Sequence, residues 1–136
     1  MKSTDLSLRF ADCTWEEIAR LPRDSTVLLL PVGSTEPHGP HLPLSTDVII
    51  SEGMALRAAT MLRIDEIDAL VLPSIAYSVT DFAGGFSGGI SLRIETATQV
   101  IVDILASLIH DGFRRFAIAN SHLEPGHIES IVSAIA

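Results

Sequence analysis

Three short apolar runs limit what this chain can fold into more than any other feature: Thr26 to Val32 (TVLLLPV), Ala69 to Leu72, and Phe116 to Ala119. None alternates between apolar and polar residues. An unbroken run of this length suits a strand buried on both faces, as in a parallel sheet. Pro73 ends the second run and Asn120 the third. The segments between the runs read as helices. Val48 to Leu62 and Glu95 to Ile109 carry apolar residues at i, i+3 and i+4, with good helix formers among them. Asp47 and Thr96 are the expected caps near their starts, and Gly112 stands where a glycine commonly follows a helix. Strand-helix-strand alternation implies right-handed crossovers and a layered α/β sheet.

The ends of the chain add less. Thr14-Trp15-Glu16-Glu17 reads as a capping box, so a short helix over Trp15 to Leu21 is expected, stopped by Pro22. His127 to Ala136 reads as the start of a further helix, and His127 itself is given no role. A three-strand sheet would leave that helix little to cover. The expectation is a single domain, residues 1–136, truncated at its C-terminus or completed by partner chains.

Composition excludes some functions. With 17 acidic residues against 9 basic ones, the net charge is −8, and no basic face for phosphates is visible. No nucleic-acid partner is expected. No apolar run approaches a membrane span, and the opening MKSTDLSLRFADC lacks a signal-peptide core. Cys13 is the only cysteine, which rules out an intrachain disulfide and fits a reducing compartment. A cytoplasmic protein is expected.

Two long loops begin where the first two strands end, the position at which open α/β sheets bind ligands. Residues 33–46 hold three prolines and two glycines; residues 74–92 hold Gly84, Gly85, Gly88 and Gly89. Glu36 and His38 lie in the first loop, and Asp47 comes directly after it. The third strand ends in Asn120-Ser121-His122-Leu123-Glu124. Adjacent parallel strands lie roughly 4.8 Å apart, so these two segments can share one site. Imidazole with carboxylate suits Zn, Mn, Fe or Co, and the lack of thiolates argues against a structural zinc cage. Five ligands exceed what one catalytic metal with an open position needs. They suit two divalent ions about 3.5–4 Å apart. Four positive charges against three carboxylates leave the site positive, which favours a bound hydroxide able to attack an amide carbonyl.

The stretch P-V-G-S-T-E-x-H-G-P-H-L-P-L-x-T-D, ending at Asp47, resembles the signature of the creatininase family, as does the downstream N-x-H segment. The resemblance implies a three-layer α/β/α sandwich with a mainly parallel sheet. It implies hydrolysis of a non-peptide linear or cyclic amide, creatinine-like, by a two-metal centre of Zn, Mn or Fe. It would place Glu36 and His122 on one metal, His38 and Glu124 on the other, and Asp47 between them. It also implies a homo-oligomer, in the family often a hexamer. Gly88-Gly89-Ile90-Ser91-Leu92 is similar to the family's P-G-T-[IL]-S-L element but lacks its proline. Leu123 stands where creatininase proper has an aromatic residue. Family members are longer, and the part beyond this chain carries substrate contacts and a His/Glu pair implicated in proton transfer.

Other assignments are weaker in kind. Thr80, Asp81 and Leu123 are expected to face substrate, and His41 to support a ligand from behind. Ser34 and Ser121 lack a G-x-S-x-G elbow, and the glycine-rich loop lacks the Lys-Ser/Thr of a phosphate-binding loop. The reading is a metal-dependent amidohydrolase. Its rival is a metal-binding fragment, or an assembly subunit of the same fold, without turnover of its own.

Overall fold

The structure, a computed structural model, describes residues 6–136. The first five residues, part of the opening stretch that lacks a signal-peptide core, lie outside it. The central strand is β1 (Val27–Val32). It is flanked in parallel by β2 (Ala69–Val71) on one side and β3 (Arg115–Asn120) on the other. The connecting helices are α2 (Thr46–Ile64) between β1 and β2 and α3 (Ile94–His110) between β2 and β3. A short α1 (Trp15–Ala19) precedes β1, and α4 (Pro125–Ile135) follows β3.

The period-two geometry of a strand sorts the core. Leu28, Leu30 and Val32 point to one face with Leu70 and Leu72, where they meet Ile18 of α1, Ile101 and Leu105 of α3, and the flank of α4 at Ile131 and Ala134. Leu29, Ala69 and Val71 point to the other face and meet Ala55 and Ala59 of α2. The result is the three-layer α/β/α sandwich with a parallel sheet. Alanines at the α2 contact let that helix lie close to the sheet.

Three expectations need correction. β3 is not buried on both faces: its residues are half-exposed or exposed, whereas β2, the other edge strand of the order β2-β1-β3, is buried throughout. Asp47 does not cap α2. The cap position is Ser45, Asp47 lies within the first turn, and its carboxylate faces His38 Nε2 at 2.9 Å. Thr96 does not cap α3, which starts earlier, after Arg93. The capping box at Thr14 and Glu17 forms as expected.

One glycine decides where α2 begins. A Cβ at Gly33 would lie 2.8 Å from backbone atoms of Asp47 and Val48. Only a residue without a side chain lets the first turn of α2 press against the end of β1. That contact carries Asp47 to the sheet's carboxyl edge.

Candidate metal centre

The pairing of Val32 with Asn120 sets the ends of β1 and β3 side by side. The loops leaving them converge there. Glu36 and His38 come from the β1 loop, Asp47 from the first turn of α2, and His122 and Glu124 from the turn between β3 and α4. The β1 loop is tied down by Gly33 N–H to Ile75 O, Glu36 N–H to Leu44 O, and Thr35 Oγ1 to Ala76 O. Ser121 Oγ donates to Asp47 O at 2.5 Å, joining the two ligand-bearing segments directly.

Two groups of metal-capable atoms result, Glu36 with His38 and Asp47, and Glu36 with His122 and Glu124, each within 4.8 Å. Asp47, His122 and Glu124 are buried. Asp47 sends Oδ1 to His38 Nε2 at 2.9 Å and Oδ2 to His122 Nδ1 at 3.1 Å. Glu36 Oε1 lies 3.3 Å from His122 Nδ1. Among the described residues, the bonds that arginine makes with carboxylates lie elsewhere: Arg9–Glu52, Arg20–Glu16 and Arg23–Asp111.

The imidazole protons can be placed by elimination, because a carbonyl oxygen only accepts. His38 Nδ1 lies 3.1 Å from Glu36 O, and His122 Nε2 lies 2.8 Å from Val79 O. Both of these nitrogens therefore carry hydrogen. In the neutral rings the other nitrogen, His38 Nε2 or His122 Nδ1, turns a lone pair toward carboxylate oxygen. Lone pair against anion is repulsive unless a cation or a proton lies between. Asp47 Oδ2 is buried and accepts no hydrogen bond. Burial holds the Asp47 carboxyl above its usual range, with the Glu36 charge adding and the two histidines opposing. Burial works against charge on His38, yet the Glu36 carbonyl and the Asp47 and Glu36 carboxylates together raise its pKa. A donor set of this kind, with each imidazole oriented from behind by a backbone carbonyl, fits divalent metal.

The loop after β2 supports the carboxylates. Thr80 is buried and its hydroxyl donates to Glu36 Oε2. The backbone N–H groups of Asp81 and Phe82 donate to Glu124 at 3.0 and 3.4 Å. The Asp81 side chain turns outward and accepts from Ser91 Oγ. Leu123 is 80% exposed and lines a cleft of about 390 Å³ over the cluster, together with Pro37, Phe82, Phe86, Glu36 and Glu124. His41 is exposed, beside Gly39. His127, given no role on sequence grounds, is fully buried with its ring 4.7 Å from that of His122. Nothing in the local sequence marks it, because its neighbours come from residues 78 and 120.

Comparison with known proteins accords with this geometry. The family model for creatinine amidohydrolase matches residues 11–136. Creatinine amidohydrolase of Pseudomonas putida is 36% identical over 124 residues, which cover 87% of this chain and 46% of that protein. Mycofactocin precursor peptide peptidase of Mycobacterium tuberculosis is 32% identical over 122 residues, covering 86% of this chain and 47% of its own length. Among solved structures, creatininase Mn superposes with a TM-score of 0.81 at 31% identity, over 95% of this chain and 51% of that one. A creatininase variant of Zn-Zn type gives 0.79 at 32% identity, over 95% and 51%. The chain spans about half the length of these relatives.

Proposed function

This chain belongs to the creatininase family, and from that premise we propose that it provides the metal centre of a divalent-metal-dependent amidohydrolase. The substrate would be a small linear or cyclic amide, creatinine-like, outside the peptide backbone. The observation that carries the reading is the pair of imidazole nitrogens aimed at the two oxygens of the buried Asp47 carboxylate, with no arginine among the described residues paired to it.

By the family resemblance Glu36 and His122 would hold one ion and His38 and Glu124 the other, with Asp47 shared, whereas the groupings in this structure set Glu124 beside Glu36 and His122, and His38 beside Glu36 and Asp47. Asp47 turns one oxygen to each histidine, which supports the shared place, and Glu36 belongs to both groups, which makes it a second candidate for it. Zn and Mn are the metals named for structures similar to this one. Bound ions supply Lewis acidity, which acidifies water and polarises a carbonyl. The chain's own groups do the rest. The Val79 and Glu36 carbonyls fix the imidazole tautomers, and the Asp81 and Phe82 amides and the Thr80 hydroxyl fix the carboxylates. Leu123, Phe82 and Phe86 wall the cleft with apolar surface against which a small substrate packs.

The test is metal analysis of the purified protein followed by a hydrolysis screen over creatinine, other cyclic amides, formamides and short peptides. About two equivalents of Zn or Mn with turnover of an amide is expected. Cleavage of peptides alone would move the substrate class to that of the peptidase relatives, and absence of bound metal would end the proposal. One rival is a metal-binding subunit of the same fold without turnover of its own. That rival is distinguished by two equivalents of metal without turnover.

A further inference from the structure

We propose that His127 is a positioning residue for this metal centre: protonated at Nε2, it ties the loop after β2 to the turn after β3 and so fixes the ligands His122 and Glu124. The inference rests on the metal reading above and adds to it a residue outside the ligand set.

The argument starts at Asn120, the last residue of β3. Its amide bridges the turn, with Nδ2 donating to His122 O at 2.8 Å and Oδ1 accepting from His122 N–H at 3.0 Å. Two backbone partners of opposite kind fix which end of the amide is oxygen. The same Oδ1 lies 2.8 Å from His127 Nε2. An amide oxygen cannot donate, so His127 Nε2 carries hydrogen. The other nitrogen, Nδ1, lies 2.6 Å from Ser78 Oγ. With the ring neutral, Ser78 donates to it.

Ser78 opens a run in which consecutive residues reach the site. Val79 O receives His122 Nε2–H, Thr80 Oγ1 donates to Glu36, and the Asp81 and Phe82 amides donate to Glu124. The start of α4 is pressed onto this run. A Cβ at Gly126 would lie 2.9 Å from Val79 Cγ1. His127 is therefore the side chain that bonds both segments at once, Ser78 on one and Asn120 on the other. Its ring also packs against His122, with the two planes 57° apart. A packing residue of the same volume would fill the space but lose both of these bonds, leaving the two segments joined only through the side chains of His122 and Glu124.

The test uses the whole chain, metal-free, titrated with Zn²⁺ by calorimetry, beside the melting temperature of the same metal-free samples. His127→Met keeps the volume and removes both bonds. Ser78→Ala removes one hydroxyl with little change of shape, and it carries the test alone if His127→Met does not fold. Each is expected to weaken Zn²⁺ binding, His127→Met by about 10–100-fold. His127→Gln, which keeps a donor for Asn120, is expected to recover part of the loss. The double variant should bind no more weakly than His127→Met, since both act through one bonded chain. Nitrogen NMR of the native protein should find His127 protonated at Nε2. Variants that bind Zn²⁺ within twofold of the native chain while melting lower would overturn the proposal and leave His127 a packing residue. Protonation at Nδ1 alone would overturn it too. A native chain that binds no Zn²⁺ is a different failure, which removes the metal reading and this inference together.

Discussion

Asp47 shows how far single residues govern this site. It is nearly fully buried, 3% exposed, yet it meets two imidazole nitrogens and, among the described residues, no arginine. Asp47→Asn keeps the shape and removes the charge. Divalent-metal affinity, measured by calorimetry, should fall by at least the roughly 10–100-fold that even an outer partner of a ligand costs. Unchanged affinity would remove Asp47 from the centre. Leu123 makes the contrasting case. Its side chain lies in the cleft and bonds to nothing, so Leu123→Ala should leave metal stoichiometry unchanged and lower kcat/KM for an amide substrate by about tenfold. A loss of metal in that variant would mean that the turn between β3 and α4 depends on Leu123 for its shape.

Elements bring these residues together, and close approach of α2 to β1 is the critical contact. Since a Cβ at Gly33 would overlap the backbone of Asp47 and Val48, Gly33→Ala must push α2 outward. Overpacking of this kind costs about 1–3 kcal/mol. Metal affinity should fall along with stability, because the displaced turn carries Asp47. Denaturant melts with and without Zn²⁺ separate the two effects, and a variant that matches the native chain in both would show that the contact is soft. The loop between β2 and α3 acts in the same way through hydrogen bonds. It contributes no ligand, but it supplies the groups that hold Glu36, His122 and Glu124.

At the scale of the molecule, folding gathers three carboxylates at one edge of the sheet against their own repulsion. Bound metal relieves that repulsion, and binding free energy adds to stability. With metal at 100 times Kd the gain is about 2.7 kcal/mol, so chelation should lower Tm by roughly 10 °C. An unchanged Tm would count against a shared site. Apolar surface also remains outside the core. Ile50, Met54 and Met61 form a stripe along the outer face of α2 and are 48%, 48% and 57% exposed. A larger apolar cleft of about 1000 Å³ lies between α1 and α3, and none of the proposed ligands lines it. A stripe of this kind is where copies of this chain would pack in the homo-oligomer that the family resemblance implies. Sedimentation should find a species several times the monomer mass, and Ile50→Glu with Met61→Glu should dissociate it. A native chain that sediments as a monomer would exclude self-association. Among the described residues, no helix is long and apolar enough to cross a membrane.

Much of this was readable in the sequence. Unbroken apolar runs specify buried parallel strands because both faces of such a strand need apolar cover, and the helical spacing between them leaves few topologies. The density of His, Asp and Glu in and just after the first loop pointed to metal because those side chains have little other reason to gather there. What the sequence could not supply was everything that depends on register and on contacts between distant segments. The edge position of β3 follows from strand order. The true start of α2 follows from Gly33 meeting backbone across the fold. The inward turn of Thr80, and the place of His127 between Ser78 and Asn120, exist only once the loop after β2 is folded against the start of α4. A hydrogen bond is short-ranged and directional, so its partners are decided by tertiary geometry. Hydrophobic burial is neither, and it leaves its pattern along the chain itself.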